Sequence, residues 1–311
     1  MKVLLTGALG NVGYSVLEKL NKKGYQTTIF ELKNKRNIKR AKKYKNAVDI
    51  IWGDLRNKNE VQKAVRDHDL IIHTGAVIPP LADKKPDLAA EVNIGGTTNI
   101  ISAAEKQKEP PKIIYTSSIA IYGDRRKDPY IKVSDKPNPN SNDEYAKQKL
   151  YCEKIIKKSD LDWAIFRLSY IVDPNNVKMD LIMFEMPLET SLEICHTKDV
   201  GTALANAVNE NRIWGKVMNI AGGKNCRIIY KDYLEKMMDI YGLGNDFLVK
   251  EMFSVDNFHC GFMNTEQSQK LLNYQEHTLD DFFDEIRAKM KYKRLLIKIF
   301  KPFIKFYFIK I

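Results

Sequence analysis

The chain has 311 residues, 44% of them hydrophobic, which suits one large α/β domain with an attached lobe and excludes a disordered polypeptide. Its four cysteines, Cys152, Cys195, Cys226 and Cys260, are dispersed and form no C-x-x-C pair, so neither a metal site nor a disulfide framework is expected and a reducing cytoplasm fits. The net charge is +12, but nine cations and no acid fall from Arg287 onward, leaving +3 for the rest, so the basic excess is a tail and excludes a basic nucleic-acid groove across the fold.

Lys2 to Thr6 reads as a short buried strand, followed at once by a glycine-rich turn, Gly7 to Gly13; this beginning is too short for a signal peptide. Apolar residues at Val12, Val16, Leu17 and Leu20 predict a helix that stops at Gly24. Gln26 to Phe30 is a second strand ending at Glu31. Val48 to Trp52 is a third, Leu70 to His73 a fourth, Lys112 to Thr116 a fifth and Trp163 to Arg167 a sixth, with helices at Glu60 to Val65 and Val92 to Ala104 between them. Strands alternating with helices at this pace predict βαβ units, hence a Rossmann-type doubly wound parallel sheet with ligands at the carboxyl ends of its strands. Beyond Pro174 the pattern weakens. Met179 to Glu193 reads as irregular, Asp199 to Asn209 as helix, Lys216 to Ile220 as strand, Tyr230 to Tyr241 as helix, and 243–290 as a small mixed lobe. The expected division is a cofactor domain over 1–173, to which 196–222 returns, a substrate lobe over 174–195 and 223–290, and a basic amphipathic tail over 291–311.

The turn Gly7-Ala8-Leu9-Gly10-Asn11-Val12-Gly13 is a G-x-x-G-x-x-G between strand and helix. The first glycine permits the tight turn, the second lets backbone approach a pyrophosphate, and the third allows close helix–sheet packing, while the helix start offers free N–H groups to the anion. Glu31, 18 residues past Gly13, is placed to accept both ribose hydroxyls and to repel a 2′-phosphate, which favours NAD; Lys33, Lys35 and Arg36 just beyond it offset that repulsion and leave NADP open.

Tyr145 and Lys149 form Y-x-x-x-K on one helix face, where an ammonium near a phenol is expected to lower the phenol pKa from ~10. Upstream stands Thr116-Ser117-Ser118-Ile119-Ala120-Ile121-Tyr122-Gly123. With Gly53-Asp54-Leu55, His73-Thr74-Gly75-Ala76, Asn93, Arg167, Pro174, the run His196 to Val200 and the run Ser268 to Leu272, these motifs occur in the order of one family. Over roughly residues 1 to 285 the chain resembles the extended short-chain dehydrogenases, the NAD-dependent epimerase/dehydratase family. The resemblance implies catalysis by Ser118, Tyr145 and Lys149. It implies cofactor contacts from Gly7, Leu9, Gly10, Asn11, Val12, Gly13, Glu31, Asp54, Leu55, Thr74, Gly75, Ala76 and Asn93, with Tyr145 and Lys149 sharing in them. A homodimer is usual among such relatives.

Departures from the family narrow the chemistry. The acidic pair that dehydratases carry after the catalytic Ser or Thr is here Ile119 and Ala120, which exchange no protons. The Asn of sugar-nucleotide epimerases is missing from Arg167-Leu168-Ser169-Tyr170, and Lys178 is the one cation between Pro174 and His196, whereas a diphosphate wants several donors. The leading expectation is therefore hydride transfer to or from a secondary alcohol or ketone, with a lipid or sterol-like substrate in view; a nucleotide-sugar epimerase and a non-catalytic cofactor-binding regulator are the alternatives. His196 reads as packing and Asp199 as a cap or network residue, while Met179, Met183, Phe184 and Met186 suit either a greasy pocket or core.

The tail alternates Lys291, Arg294, Lys298, Lys301 and Lys305 with Leu295, Leu296, Ile297, Ile299, Phe300, Phe303, Ile304, Phe306, Tyr307, Phe308 and Ile309. No apolar run reaches the ~20 residues of a spanning helix. Cations on one face and a wide apolar surface opposite predict in-plane contact with the inner face of a membrane, or else packing on protein.

Overall fold

Apolar residues on both faces of each strand place the sheet in the middle of the molecule, since a parallel strand is covered on both sides. The computed structural model describes residues 1–177, 181–244 and 247–309, with the backbone alone for Leu181 and 305–309. In chain order the elements are β1 (Lys2–Thr6), α1 (Asn11–Lys22), β2 (Gln26–Glu31), α2 (Lys35–Ala41), β3 (Asp49–Trp52), α3 (Lys58–Val65), β4 (Leu70–His73), α4 (Leu81–Lys84), α5 (Pro86–Ala90), α6 (Gly96–Glu105), β5 (Lys112–Ser118), β6 (Tyr130–Ile131), α7 (Glu144–Lys158) and β7 (Trp163–Leu168). There follow β8 (Tyr170–Val172), β9 (Ser191–His196), α8 (Thr197–Ala207), β10 (Lys216–Ile220), β11 (Arg227–Ile229), α9 (Tyr230–Tyr241), β12 (Phe262–Met263), α10 (Glu266–Leu272), α11 (Leu279–Met290) and α12 (Lys293–Ile309).

Seven parallel strands run in the order β10-β7-β5-β4-β1-β2-β3. The order reverses between β1 and β4, which opens a crevice at their carboxyl ends. Alternate residues feed two layers. Val3 and Leu5 point to α1 and α8, with Val16, Leu17, Val200 and Leu204; Leu4 points the other way, to α3, α6 and α7, with Val61, Ile100 and Ile156. The helices α1 and α8 cross so closely that a Cβ on Gly201 would lie 2.6 Å from the Ser15 carbonyl oxygen.

A second core lies beyond β7. The three-stranded sheet β8-β9-β11 packs Leu192 and Ile194 against Tyr233, Met237, Phe282 and Phe283 of α9 and α11. The expected irregular stretch Met179 to Glu193 therefore ends in a strand, β9, and carries a short 3-10 turn at Leu181–Glu185; Met179 and Lys178 lie outside the described residues. The reason is tertiary. Every residue of β9 is buried, and Glu193 within it is tolerated because Gly223 N, Met263 N and Arg227 Nε each donate to its carboxylate at 2.9 Å. No helix among the described residues is long and apolar enough to cross a membrane.

Gly201→Ala is expected to destabilise the fold by about 1–3 kcal/mol, because the added methyl meets backbone that cannot move aside. Urea denaturation with an unchanged slope and a lowered midpoint is the outcome that checks it.

Candidate active site

The glycine turn closes on itself. Gly7 has φ +70°, and a Cβ there would lie 2.5 Å from Gly75 at the end of β4. A Cβ on Gly13 would fall 2.0 Å from the Gly7 carbonyl oxygen, so α1 starts against the turn itself. Gly10 is the N-cap of α1 and no side chain caps that end. The first-turn N–H groups and the positive end of the helix dipole thus face the crevice, as an anion requires. A dinucleotide pyrophosphate fits this cradle, since larger residues at Gly7 and Gly13 would fill it or push the helix away.

Glu31 closes the far wall. Its Oε1 accepts the Leu9 N–H at 2.6 Å and its Oε2 accepts Asn37 Nδ2 at 3.1 Å. Burial pushes its pKa up while the Leu9 bond opposes. Asp54 lines the cleft with its carboxylate clamped by Arg56, at 2.6 Å from one guanidinium nitrogen, which holds its pKa down. Leu55 lies over Gly75 and Gly96, whose absent side chains make room for it. Thr74 donates its hydroxyl to the Thr6 carbonyl at 2.7 Å. Beneath them His73 bridges Thr6 Oγ1 at 2.7 Å and Thr97 Oγ1 at 3.0 Å; burial lowers its pKa to about 3, so it is neutral.

One expected contact is corrected. Asn93, 2% exposed, does not line the cleft. It sits on a single π-turn, Glu91–Gly95, where its Oδ1 accepts Val77 N at 2.8 Å and its Nδ2 donates to Val77 O at 2.9 Å and Gln148 Oε1 at 2.7 Å. Its amide is spent on tying the segment after β4 to α7.

The other expected residues converge. Ser118 ends β5, and Tyr145 and Lys149 stand one turn apart on α7, whose start is capped by Asp143 accepting the Ala146 N–H at 2.8 Å. The Ser118 side chain stands beside the Tyr145 phenol. Lys149, only 3% exposed, donates from Nζ to the Thr116 carbonyl at 2.8 Å and lies 4.7 Å from the centroid of the Tyr115 ring. Burial pushes its pKa down to about 8. The expected lowering of the Tyr145 pKa by Lys149 does not hold: burial raises that pKa, the nearby Asp143 adds to the rise, and Ser118 opposes it. The ammonium is 5.8 Å from the centre of the Tyr145 ring and is bonded to backbone instead. The phenol is therefore a proton donor at neutral pH. One turn further along α7, buried Glu153 takes Arg167 of β7 at 2.9 and 2.7 Å, and Arg167 reaches Tyr122 at 2.6 Å.

Both groups of residues line one cleft of about 1480 Å³. The cleft is lined as well by Ile78, Leu81, Ile171, Phe258 and Cys260, by Asp83, Asp143, Glu144, Glu185 and His259, and by Asn140, Asn142, Asn176 and Asn257. His259 Nδ1 lies 2.7 Å from Asp143 Oδ2. Sequence reasoning missed Asn37, Arg56, Asp143 and His259. Only Asp143 left a local signal there, as an N-cap residue ahead of a helical run. Ile119, where dehydratases carry an acid, lines the cleft, and Ala120 is buried. Met183, Phe184 and Met186 pack on the second core and not on the cleft. His196 caps α8 by accepting Lys198 N at 3.0 Å, and buried Asp199 accepts the N–H groups of Glu276 and His277 and bonds the His277 ring at 2.5 Å.

A buried ammonium with a lowered pKa costs stability. Between pH 8 and 10.5 the unfolded chain holds a proton at residue 149 that the folded chain gives up, so that cost is full below pH 8 and gone above 10.5. Lys149→Met is expected to be more stable than the parent by about 3 kcal/mol at pH 7, with the gain shrinking as the pH rises through that window, and to be inactive. Paired denaturation curves at pH 7 and above 10 check this.

Comparison with known proteins agrees with the geometry. The NAD dependent epimerase/dehydratase family matches residues 3–182. UDP-N-acetyl-alpha-D-glucosaminuronate decarboxylase of Bacillus cytotoxicus is 32% identical over 124 residues, 39% of this chain and 38% of that protein. CDP-paratose 2-epimerase of Salmonella typhi is 27% identical over 150 residues, 44% of each chain. The matched stretch thus spans less than half the length of these curated relatives. Among solved structures, UDP-glucuronic acid 4-epimerase from Bacillus cereus in complex with UDP-glucuronic acid and NAD superposes with a TM-score of 0.77 at 19% identity, covering 94% of this chain and 99% of that one. A short-chain dehydrogenase/reductase superfamily protein from Agrobacterium tumefaciens with bound NAD gives 0.75 at 18%, covering 96% and 99%. With more than half its length matched by one description, and its strand order and glycine turn in accord with it, the chain belongs to the NAD dependent epimerase/dehydratase family.

Proposed function

We propose that the protein is an NAD-dependent oxidoreductase that interconverts a secondary alcohol and a ketone. The observation that carries this is the placing of Ser118, Tyr145 and buried Lys149 together in the same cleft as the glycine turn. When bound, the nicotinamide accepts a hydride from the carbinol carbon or returns one to the carbonyl carbon. Gly7, Leu9, Gly10, Asn11, Val12 and Gly13 would hold the pyrophosphate, Glu31 the adenine-side ribose, and Asp54 and Leu55 the adenine, with Thr74, Gly75 and Ala76 along the middle. Glu31 favours NAD, and Arg36 at the cleft edge is the residue through which NADP would be admitted.

The reacting oxygen is placed between the hydroxyls of Ser118 and Tyr145. In reduction Tyr145 gives it a proton; in oxidation the phenolate takes one. Lys149 is charged at pH 7, as its pKa of about 8 requires, and its ammonium stabilises the phenolate left after proton transfer. Ile119, the aliphatic residue after Ser118, exchanges no proton for the elimination of water.

The cleft wall argues for a substrate without a diphosphate. Among the described residues of the lining the cations are Arg36 and Arg56, near Glu31 and Asp54, and Lys149; Asp83, Asp143, Glu144 and Glu185 line the cleft with His259, several asparagines and apolar side chains. A diphosphate there would stand against these carboxylates with few cations to offset its charge. A neutral alcohol with an apolar body, lipid or sterol-like, suits the wall better. The second reading is a nucleotide-sugar epimerase, in which one carbon is oxidised and re-reduced; the names of the relatives favour it. The proposed assembly is a homodimer.

Turnover with NAD across secondary alcohols, sterols and UDP-sugars tests the proposal. Net NADH from an alcohol supports the first reading; conversion of a UDP-sugar without net NADH supports the second. Tyr145→Phe is expected to lower kcat by about 10²–10⁴-fold with NAD affinity kept. Unchanged turnover in that variant would remove the phenol from the chemistry.

A further inference from the structure

The helix α12 is turned the unusual way round. A helix on the surface of a globular protein buries its apolar stripe and shows its charges to water, as α11 does with buried Phe282, Phe283 and Ile286. In α12 the side towards the body is the charged one. Arg294 pairs with Asp239 of α9 at 3.1 Å. A Cβ on Gly242, just past the end of α9, would lie 2.8 Å from Arg294 Cγ and 3.0 Å from Lys298 Cγ, so the stems of these two cations pack on bare backbone. Ile297 and Ile304 add a narrow apolar seam on the same side.

The opposite face is apolar and uncovered. Leu295 is 68% exposed, Ile299 61% and Phe303 73%, with Leu296 and Phe300 between them. At 100° per residue these five span about 140° of the helix circumference. No acid lies anywhere from Arg287 to the last residue, and the chain there carries nine cations. Lys293 borders the stripe on one side and Lys298 approaches it on the other, both with stems long enough to carry their ammonium groups past an apolar edge. Phe306 and Tyr307 continue the stripe in sequence; they and Phe308, Ile309, Lys305 and Lys310 lie outside the residues whose side chains are described.

We infer that α12 is a membrane-surface helix, which lies in the plane of an anionic bilayer with the Leu295–Phe303 face in the acyl boundary and its lysines at the headgroups. Charge selects the occupant. A second copy apposed through this face would bring Lys293 and Lys298 of one helix towards the same cations of the other, whereas anionic headgroups complement them. Seventeen residues of helix carrying this charge lie flat and do not span. The pairing with α9 fixes how the body stands on that surface, and it is independent of what the cleft turns over.

Co-sedimentation with vesicles tests the inference on the full chain. The protein is expected to pellet with vesicles of phosphatidylcholine and phosphatidylglycerol, much less with phosphatidylcholine alone, and less again as salt rises. The double variant Ile299→Glu/Phe303→Glu, at two exposed positions, is expected to lose on the order of tenfold or more in vesicle affinity while its binding of NAD is unchanged. A full chain that stays in the supernatant with the anionic vesicles overturns the inference. So does a double variant that pellets like the parent. If the full chain ignores vesicles and the double variant turns a dimer into a monomer by light scattering, the face is a contact between copies and not a membrane site.

Discussion

A buried ammonium needs a fixed acceptor, and Lys149 finds one in the carbonyl of Thr116. Among the described residues no carboxylate forms an ion pair with it, and the cation is held by a backbone dipole and by the face of Tyr115. Such an arrangement works only if helix α7 and strand β5 keep their spacing closely, because the carbonyl cannot follow a helix that drifts. The rest of the site is organised around that demand. Asp143 fixes the start of α7, Gln148 ties it to Asn93, and Glu153 locks its next turn to Arg167 on β7. Tyr145 and Lys149 are thus carried on a helix capped at its start and tied at two further levels, to Asn93 of the π-turn and to Arg167 of β7.

The electrostatics of these pins differ in kind. Glu153 and Arg167 neutralise each other in a dry place, where either partner alone would be an uncompensated charge. Lys149 has no such partner and carries a lowered affinity for its proton, while Tyr145 carries a raised one. The two titrations, ordinarily at 10.5 and 10.0, therefore cross and are driven apart, the amine becoming the more acidic group. A phenol that holds its proton next to an amine that holds its own less firmly is suited to giving a proton up only when a reacting oxygen arrives.

What was legible in the sequence were the features whose cause is local. The strand, the glycine turn and the first helix follow within 22 residues, and Tyr145 and Lys149 are neighbours by helix periodicity alone. Their convergence on Ser118 followed from the strand-end rule for parallel sheets. The strands β8, β9 and β11 were not legible, because each is short and Glu193 breaks the apolar pattern; its tolerance depends on Arg227 and Met263, which lie 34 and 70 residues away. Asn93 was assigned to the cofactor by resemblance, yet its amide is consumed by Val77 and Gln148. The tail's two faces were readable from spacing. Which of them meets the body was not, because Gly242 and Asp239 decide it.

His73 links three elements at once, joining the ends of β1 and β4 to α6 through two threonine hydroxyls. It does so as a neutral ring, and both of its nitrogens are occupied. An unfolded chain accepts a proton there near pH 6.5, while the folded one refuses it until about 3. Between those values the unfolded state binds the extra proton, so each step towards acid favours unfolding. The same ring beneath the glycine-turn cleft therefore makes acidity a denaturant for this fold.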